Sequence, residues 1–411
     1  MAENHSTLPP LYVDLDGTLT NTDTLWESLI WIARHNPGAF RRIVPLVFQK
    51  AAFKQAVRAA SELSPSDLSY REELVEHLRR ERTHGRKIVL ATATHQEFAQ
   101  AIAKHTELFD DVLATHGKTN LSGVAKRDAI LAHAQGPYEY IGDHPVDLPV
   151  WQAAQTAHAV LPVGANWDAR VSATQRGQIF RTTGGGFRDV LRAMRPKQWS
   201  KNILLFLPLL LSHTFLIPEK IGSALLAFCC FSLSASAIYL VNDIFDIHAD
   251  RHHPRKRFRP FASGALSIPQ GLLAATVIAT AAFVLASLIS PLFVAIIVGY
   301  LVTTSLYTLW LKKLPIIDLI FIGFFYTYRI VAGGVATEVP LTDWLLAFST
   351  FFFLSVGIVK RYGELRLTVN GETTKKNNRG YLPDDLPLLL GFGLNSGFLS
   401  IVIFALYIHS T

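Results

Sequence analysis

The chain has 411 residues, half of them hydrophobic and 17% charged, with a formal net charge of +7. Its only two cysteines, Cys229 and Cys230, are adjacent in an apolar run, which excludes a disulfide framework and a cysteine-rich zinc site. The basic surplus is not interleaved with aromatic residues as in nucleic-acid motifs, so it suits attraction to anionic lipid and no nucleic-acid partner is expected.

The opening "MAENHSTLPPLYV" lacks a basic start followed by a long apolar stretch, so no signal peptide is expected and the first domain should stay in the cytoplasm. Residues 11–13 read as a short buried strand, followed by Asp14, Asp16, Gly17 and Thr18. Acids at the carboxyl end of a strand, beside a glycine that permits a tight turn, are a frequent site geometry in open α/β sheets. Residues 21–70 show helical periodicity, broken at Pro37 and Pro45, and suit a small helical cap. "RKIVLATATHQE" gives a second strand, with Thr92 the best-placed hydroxyl at its end. "GVAKRDAI" sets Lys126 near a helix start, and "YEYIGDHPVDLPVW" gives a strand ending in Asp143 and then Asp147.

These four motifs, in this order, resemble the haloacid dehalogenase superfamily of phosphatases. The resemblance covers roughly the first 185 residues and implies a Rossmann-like α/β domain with a small helical cap. It assigns Asp14 as nucleophile, since a carboxylate can attack phosphorus to form an aspartyl-phosphate. Asp16 becomes the general acid and then the base. Asp14, Asp16 and Asp143 form the expected Mg²⁺ set, and Thr92 and Lys126 clamp the phosphoryl group. Asp147 is expected to orient neighbours, and His144 to be a solvated loop histidine.

"TTGGGFRDVLRAMRPKQWSKN" follows, a glycine hinge and a basic juxtamembrane run. The expected division is therefore 1–185, a linker at 186–202, and a multi-span helical bundle at 203–411. Apolar runs long enough to be weighed as spans are 203–215, 221–240, 268–288, 291–311, 316–336, 341–359 and 386–408, the first of them short and expected to be irregular. With the N-terminal domain in the cytoplasm, Arg195, Lys197 and Lys201, the block at 251–259, Lys312 and Lys313, and the stretch 360–379 all fall on the cytoplasmic side. The opposite loops hold almost no base, which is the positive-inside pattern and implies a multi-pass protein of a bacterial-type inner membrane.

The stretch "YLVNDIFDIHADRHHPRKRFRP" ends one apolar run in Asn242, Asp243, Asp246 and Asp250, then turns basic at Arg255, Lys256, Arg257 and Arg259. Spacings of three and four predict carboxylates on one helical face. Like charges so close repel unless a cation sits between them, and acids at a membrane end need a partner. "NDIFDIHAD" resembles the first aspartate-rich motif of the UbiA-type membrane prenyltransferases. "MRPKQWSKN", "YTLWLKKLPIIDL", "YRIVAGGVA" and "VKRYGEL" resemble, more narrowly, the polyprenyl-phosphate phosphoribosyltransferase branch, over residues from about 192 onward.

That resemblance implies a Mg²⁺-dependent transfer of phosphoribosyl from phosphoribosyl diphosphate to a polyprenyl phosphate such as decaprenyl phosphate. Asp243, Asp246 and Asp250 would bind metal and the leaving diphosphate, with Asn242 beside them. Lys197, Lys201, Lys256, Arg257, Arg259, Arg329, Lys360 and Arg361 are candidate phosphate contacts, with Tyr362 and Glu364 in place of a second aspartate pair. Tyr326 and Tyr328 would line the cavity, while Asp318 suits a cap or ion pair. The superfamily usually has nine spans, more than the seven runs here. A prenyl-diphosphate enzyme with an aromatic acceptor remains the alternative, and the oligomeric state is not legible.

Overall fold

A computed structural model describes residues 8–116, 119–182, 184–370 and 380–410. It contains six strands, β1 (Leu11–Val13), β2 (Ile88–His95), β3 (Asp111–Thr115), β4 (Glu139–Gly142), β5 (Thr156–Pro162) and β6 (Arg176–Thr182). The helices of the α/β region are α1 (Thr24–His35), α2 (Phe40–Ile43), α3 (Lys50–Ala60), α4 (Glu72–Thr83), α5 (Gln96–Thr106), α6 (Val124–Ala134), α7 (Leu148–Ala153) and α8 (Phe187–Met194). There follow α9 (Leu207–Leu211), α10 (Pro218–Phe245), α11 (Ile247–Arg251), α12 (Ile268–Ser287), α13 (Pro291–Leu309), α14 (Pro315–Thr337), α15 (Asp343–Val369) and α16 (Leu386–Ser410).

The chain divides into two compact units: Met1–Ala193 with Asp243–Leu273, and Met194–Asn242 with Ala274–Thr411. The aspartate-rich segment, expected within a continuous 203–411 block, thus belongs to the first unit.

In that first unit the strands form one parallel sheet in the order β3-β2-β1-β4-β5-β6. Both faces are covered, as a parallel sheet requires. Leu11, Val13, Ile88 and Leu90 pack on one side, and Tyr12, Val89, Ala91 and Tyr140 on the other, following the period-2 alternation of strands. Strand order reverses direction about β1, which lies between β2 and β4, so a crevice opens at the carboxyl ends of these strands. The cap forms its own cluster of Ile32, Ala39, Ile43 and Val57. Asp23 caps α1 by accepting from the Leu25 and Trp26 amides. The helical run breaks at both prolines expected to break it, into short 3₁₀ turns at Pro37–Ala39 and Val44–Leu46.

The second unit is helical. Among the described residues, six helices are long and apolar enough to cross a membrane: Pro218–Phe245, Ile268–Ser287, Pro291–Leu309, Pro315–Thr337, Asp343–Val369 and Pro383–His409. The run at 203–215 is not a seventh. It is a 3₁₀ segment, Pro196–Phe206, followed by the five-residue α9, with prolines at the start of both, and it ends before a span's length is reached. The basic residues at 371–379 lie outside the described residues.

Two buried polar knots hold this unit together. Arg361 meets Asp318 through two bonds of 2.6 and 3.2 Å, while Tyr307 donates to the same carboxylate at 2.6 Å and Tyr381 at 3.3 Å. Arg329 donates to Asn202 Oδ1 at 2.8 Å, to the Phe325 carbonyl and to the Tyr300 hydroxyl, and Asn202 in turn donates to Ser232. An intramembrane charge is costly unless its polar atoms are met: Arg361 is ion-paired with Asp318, and Arg329 donates to neutral acceptors.

Candidate functional site

The phosphatase-like motifs converge at the carboxyl ends of β1, β2 and β4. Asp14 is the first residue past β1, in extended backbone (φ −75°, ψ 160°), and the chain then turns sharply through Gly17 at φ +77°. Glycine is required twice over at that position. Its backbone is left-handed, and a Cβ there would collide with the Asp143 carboxylate. Arg71 pins the turn by donating to the carbonyls of Gly17 and Thr18, both at 3.0 Å.

Lys126, buried at the start of α6, donates to Asp14 at 2.9 Å, to Asp147 at 3.2 Å and to the Tyr140 hydroxyl at 3.0 Å. Tyr140 also donates to Asp147 at 2.8 Å, and Thr18 donates to Asp143 at 3.1 Å. Ligand oxygens of Asp14, Asp143 and Asp147 all lie within 4.8 Å of one another. Burial pushes the Asp14 carboxyl up to about 7, with Lys126 pulling it down and Asp147 and Asp16 pushing it further up. Burial and the same acidic neighbours, Asp14 and Asp147, raise Asp143 well above the usual range. Burial works against the charge on Lys126, but Asp14 and Asp147 outweigh it and keep the ammonium protonated. Three carboxylates share one ammonium, so the cluster is short of positive charge. A hard divalent cation fits that donor set.

The expected metal set differs from the observed grouping. Asp147 joins Asp14 and Asp143, whereas Asp16 is held apart at the cap. The Asp16 oxygens accept from the Thr24 amide at 2.7 Å and the Thr94 hydroxyl at 2.8 Å. Burial and nearby Asp23 raise its carboxyl to about 6, against the bonds from Thr24 and Thr94. A carboxyl so tuned suits proton transfer near neutral pH. Thr92 is fully buried within β2, and its hydroxyl accepts from the Thr94 amide at 3.1 Å. Thr94, not Thr92, lines the cavity. His144 also lines it, and its Nδ1 accepts from the Val146 amide at the start of the Asp147 turn.

Lys54 was not singled out from the sequence. It reaches from α3 of the cap to the Ala93 carbonyl at 2.7 Å and Asn120 Oδ1 at 3.0 Å. Burial lowers its pKa, partly opposed by Asp16 and Asp23. The helical period of the cap gave no cue that this lysine faces inward.

The aspartate-rich segment is not one continuous helical face. The helix α10 stops at Phe245, and Asp246 starts α11. The break brings Asp243 and Asp250 together on one guanidinium: Arg259 lies 3.2 Å from Asp243 and 2.5 Å from Asp250. Lys256 adds a contact of 3.3 Å to Asp250. Asp246 turns aside to Arg34 of α1 at 2.9 Å. The basic block therefore folds back and neutralises the acids that precede it. The two carboxylates become donors for Mg²⁺ once Arg259 and Lys256, both partly exposed, let go of them. Arg257 stacks over Phe258 and is exposed, and Asn242 is half-buried.

Sequence reasoning also missed Glu27 and Arg251. Glu27 is fully buried in α1 and meets Arg251 through two bonds of 2.7 and 2.8 Å and His248 at 3.1 Å, with Thr22 donating to it as well. The lone acid in the apolar stretch "TLWESLIW" was the available signal, because a buried charge needs a partner.

In the second unit, Lys197 and Lys360 are exposed, and Lys201 is half-buried. Burial lowers the Lys201 pKa, and repulsion from Lys360 and Arg329 lowers it further. These three cations thus gather in one region. Arg361 and Arg329 are engaged in the knots described above, and Glu364 accepts from Arg361 at 2.6 Å. Tyr362 packs with Leu319, Ile358 and Leu389. Tyr326 stacks on Phe353, and Tyr328 donates to the Ile296 carbonyl at 2.7 Å.

The sequence matches the UbiA prenyltransferase family over residues 204–366 and the haloacid dehalogenase-like hydrolases over residues 11–152. The protein y4nM of Sinorhizobium fredii is 35% identical over 97% of this chain and 78% of its own length. The chain belongs to the UbiA prenyltransferase family and carries a haloacid dehalogenase-like hydrolase domain ahead of the membrane helices. Decaprenyl-phosphate phosphoribosyltransferase of Mycobacterium tuberculosis H37Rv is 36% identical over 47% of this chain, a match that spans 65% of that enzyme. A UbiA homologue from Archaeoglobus fulgidus, solved with DMAPP and Mg²⁺, aligns with a TM-score of 0.45 at 16% identity, covering 54% of this chain and 78% of its own. The protein is thus a multi-pass membrane transferase fused to a phosphatase-like hydrolase.

Proposed function

We propose that this protein transfers a 5-phosphoribosyl group from phosphoribosyl diphosphate to a polyprenyl phosphate and then removes the 5-phosphate, giving polyprenylphosphoryl-ribose. The transfer forms a bond from a lipid phosphate oxygen to the ribosyl anomeric carbon, and diphosphate departs with the electron pair of the broken bond. Asp243 and Asp250 are the residues that would hold Mg²⁺ on that leaving group. Charge neutralisation by the bound metal would assist departure. Arg259 and Lys256 would exchange carboxylates for phosphate oxygens as substrate binds, and Lys197, Lys201 and Lys360 supply further positive charge for the lipid phosphate.

In the second step the Asp14 carboxylate attacks phosphorus while Asp16 protonates the departing ribose oxygen. Asp16, then ionised, takes a proton from the water that hydrolyses the aspartyl-phosphate. Lys126 holds Asp14 in place and offsets phosphoryl charge. Asp14, Asp143 and Asp147 would hold a Mg²⁺ ion in this site. The basic loops support a cytoplasmic location for both steps, in a bacterial-type inner membrane.

The observation that carries this reading is that one compact unit contains both the Asp14–Lys126–Asp143–Asp147 cluster and the Asp243–Asp250 pair. The test is diphosphate release from phosphoribosyl diphosphate by the purified full chain. Release should require both polyprenyl phosphate and Mg²⁺, survive Asp14→Asn and vanish with Asp243→Asn. Release that ignores polyprenyl phosphate, or turnover of a prenyl diphosphate with an aromatic acceptor instead, contradicts it.

A further inference from the structure

The cavity in front of Asp14 has a volume of about 1220 Å³. Pockets for drug-sized ligands run to roughly 300–1,000 Å³, so a phosphate or a small ester leaves most of this space empty. Part of its wall comes from far along the chain. Ser263, Gly264, Ser267 and Gln270 line it together with Asp14 and Lys54. Ser267 and Gln270 flank the start of α12, and the first turn of this span-length helix therefore lines the cavity.

This wall is built in. Gly264 has φ +76°, and a Cβ there would strike Asn21, at the entrance to the cap. A Cβ on Gly184 would lie 2.6 Å from the Ala265 carbonyl oxygen. Behind the wall, the buried Glu27 carboxylate grips Arg251 and His248. Arg251 also donates to the carbonyls of Asp67 at 2.6 Å and Ala262 at 3.1 Å, which ties the segment ahead of Ser263 to the cap.

We infer that the stretch 263–270 is a specificity wall of the phosphatase site, selecting a phosphomonoester carried on a lipid-linked headgroup over the same ester free in solution. The inference rests on the proposed phosphatase step and names what that site accepts. A phosphate at Asp14 leaves the cavity to be filled by the sugar and its phosphodiester, and the chain beyond leads toward the start of α12. Glu27 and Arg251 are positioning residues: they touch no substrate but hold the wall.

The test compares two substrates on the full chain in lipid nanodiscs, polyprenylphosphoryl-ribose 5-phosphate and free ribose 5-phosphate. The wild type should favour the lipid-linked ester in kcat/KM by about a hundredfold, and Gln270→Ala should cut that ratio about tenfold, mainly through KM. Glu27→Gln and Arg251→Met should each cut it similarly, and the paired neutral change E27L/R251M should recover most of it, since removing both partners of a buried pair is better tolerated than removing one. Equal turnover of the two esters overturns the inference, as does an equal loss of kcat on both esters in these variants. Hydrolysis of ribose 5-phosphate that requires Asp14, without lipid preference, overturns the wall alone. Hydrolysis of neither ester overturns the phosphatase reading and the wall with it.

Discussion

Two acidic clusters in the same unit differ in charge balance, one short of cations and the other matched by them. Around Asp14, three clustered carboxylates have the ammonium of Lys126 among them, bonded to Asp14 and Asp147, and Asp14 and Asp143 are pushed toward their protonated forms. Around Asp250, two carboxylates are met by Arg259 and Lys256, both supplied by the adjacent basic block. The first cluster is rigidly set by strand ends and lacks positive charge, as suits a site awaiting a cation. The second is closed by side chains that remain partly exposed and so can exchange partners. Asp318 and Glu27 are a third kind of acid, buried and saturated by arginine and hydroxyl partners, with no capacity left for a ligand. A carboxylate's place in the fold says less about its role than the count of cations it already has.

The largest expected effect breaks the first cluster. Asp14→Asn removes the nucleophile and should lower phosphate release by a thousandfold or more, roughly, as loss of a covalent nucleophile does. Diphosphate release in the same preparation should remain within about twofold. Next, Asp250→Asn should lower diphosphate release about a hundredfold, because the leaving-group cation loses a ligand. Phosphate release from supplied phosphorylated lipid measures whether the clusters act separately.

The saturated acids sharpen the contrast through stability. Arg361→Met leaves the buried Asp318 without its guanidinium counter-charge and should cost about 3–5 kcal/mol, read from denaturation in detergent. The pair R361M/D318L should recover much of that loss. The smallest effect is a pH dependence. Burial would raise the Glu27 carboxyl, but Arg251 and His248 hold it down at about 2, below the usual 4.5. A depressed carboxyl adds stability above its unfolded value and loses it as pH falls toward the folded value. Glu27→Gln should therefore flatten the drop in melting temperature between roughly pH 5 and pH 2.

What was legible in the sequence follows from how local each cause is. The short β1 strand, Asp14, Gly17 and the later Lys126 and Asp143 stand out because strand, turn and acid lie within a few residues of one another. Long apolar runs announce the span-length helices for the same reason. The run at 203–215, short and expected to be irregular, is so: a 3₁₀ segment leads into a five-residue helix with Pro208 in its first turn. The helical spacing of Asp243, Asp246 and Asp250 misled because a helix break at Asp246 is not written in the acid spacing. Glu27 and Arg251 lie 224 residues apart, and no local pattern joins them. Asp147, expected to orient its neighbours, does so through Lys126 and Tyr140 and also stands among the clustered carboxylates.

The most direct test of the account is the mass of the lipid formed from phosphoribosyl diphosphate, polyprenyl phosphate and Mg²⁺, compared between the wild type and Asp14→Asn. The account predicts polyprenylphosphoryl-ribose from the wild type and the same lipid one phosphate heavier from Asp14→Asn. Identical lipid products from the two proteins, or no ribosylated lipid from either, would contradict it.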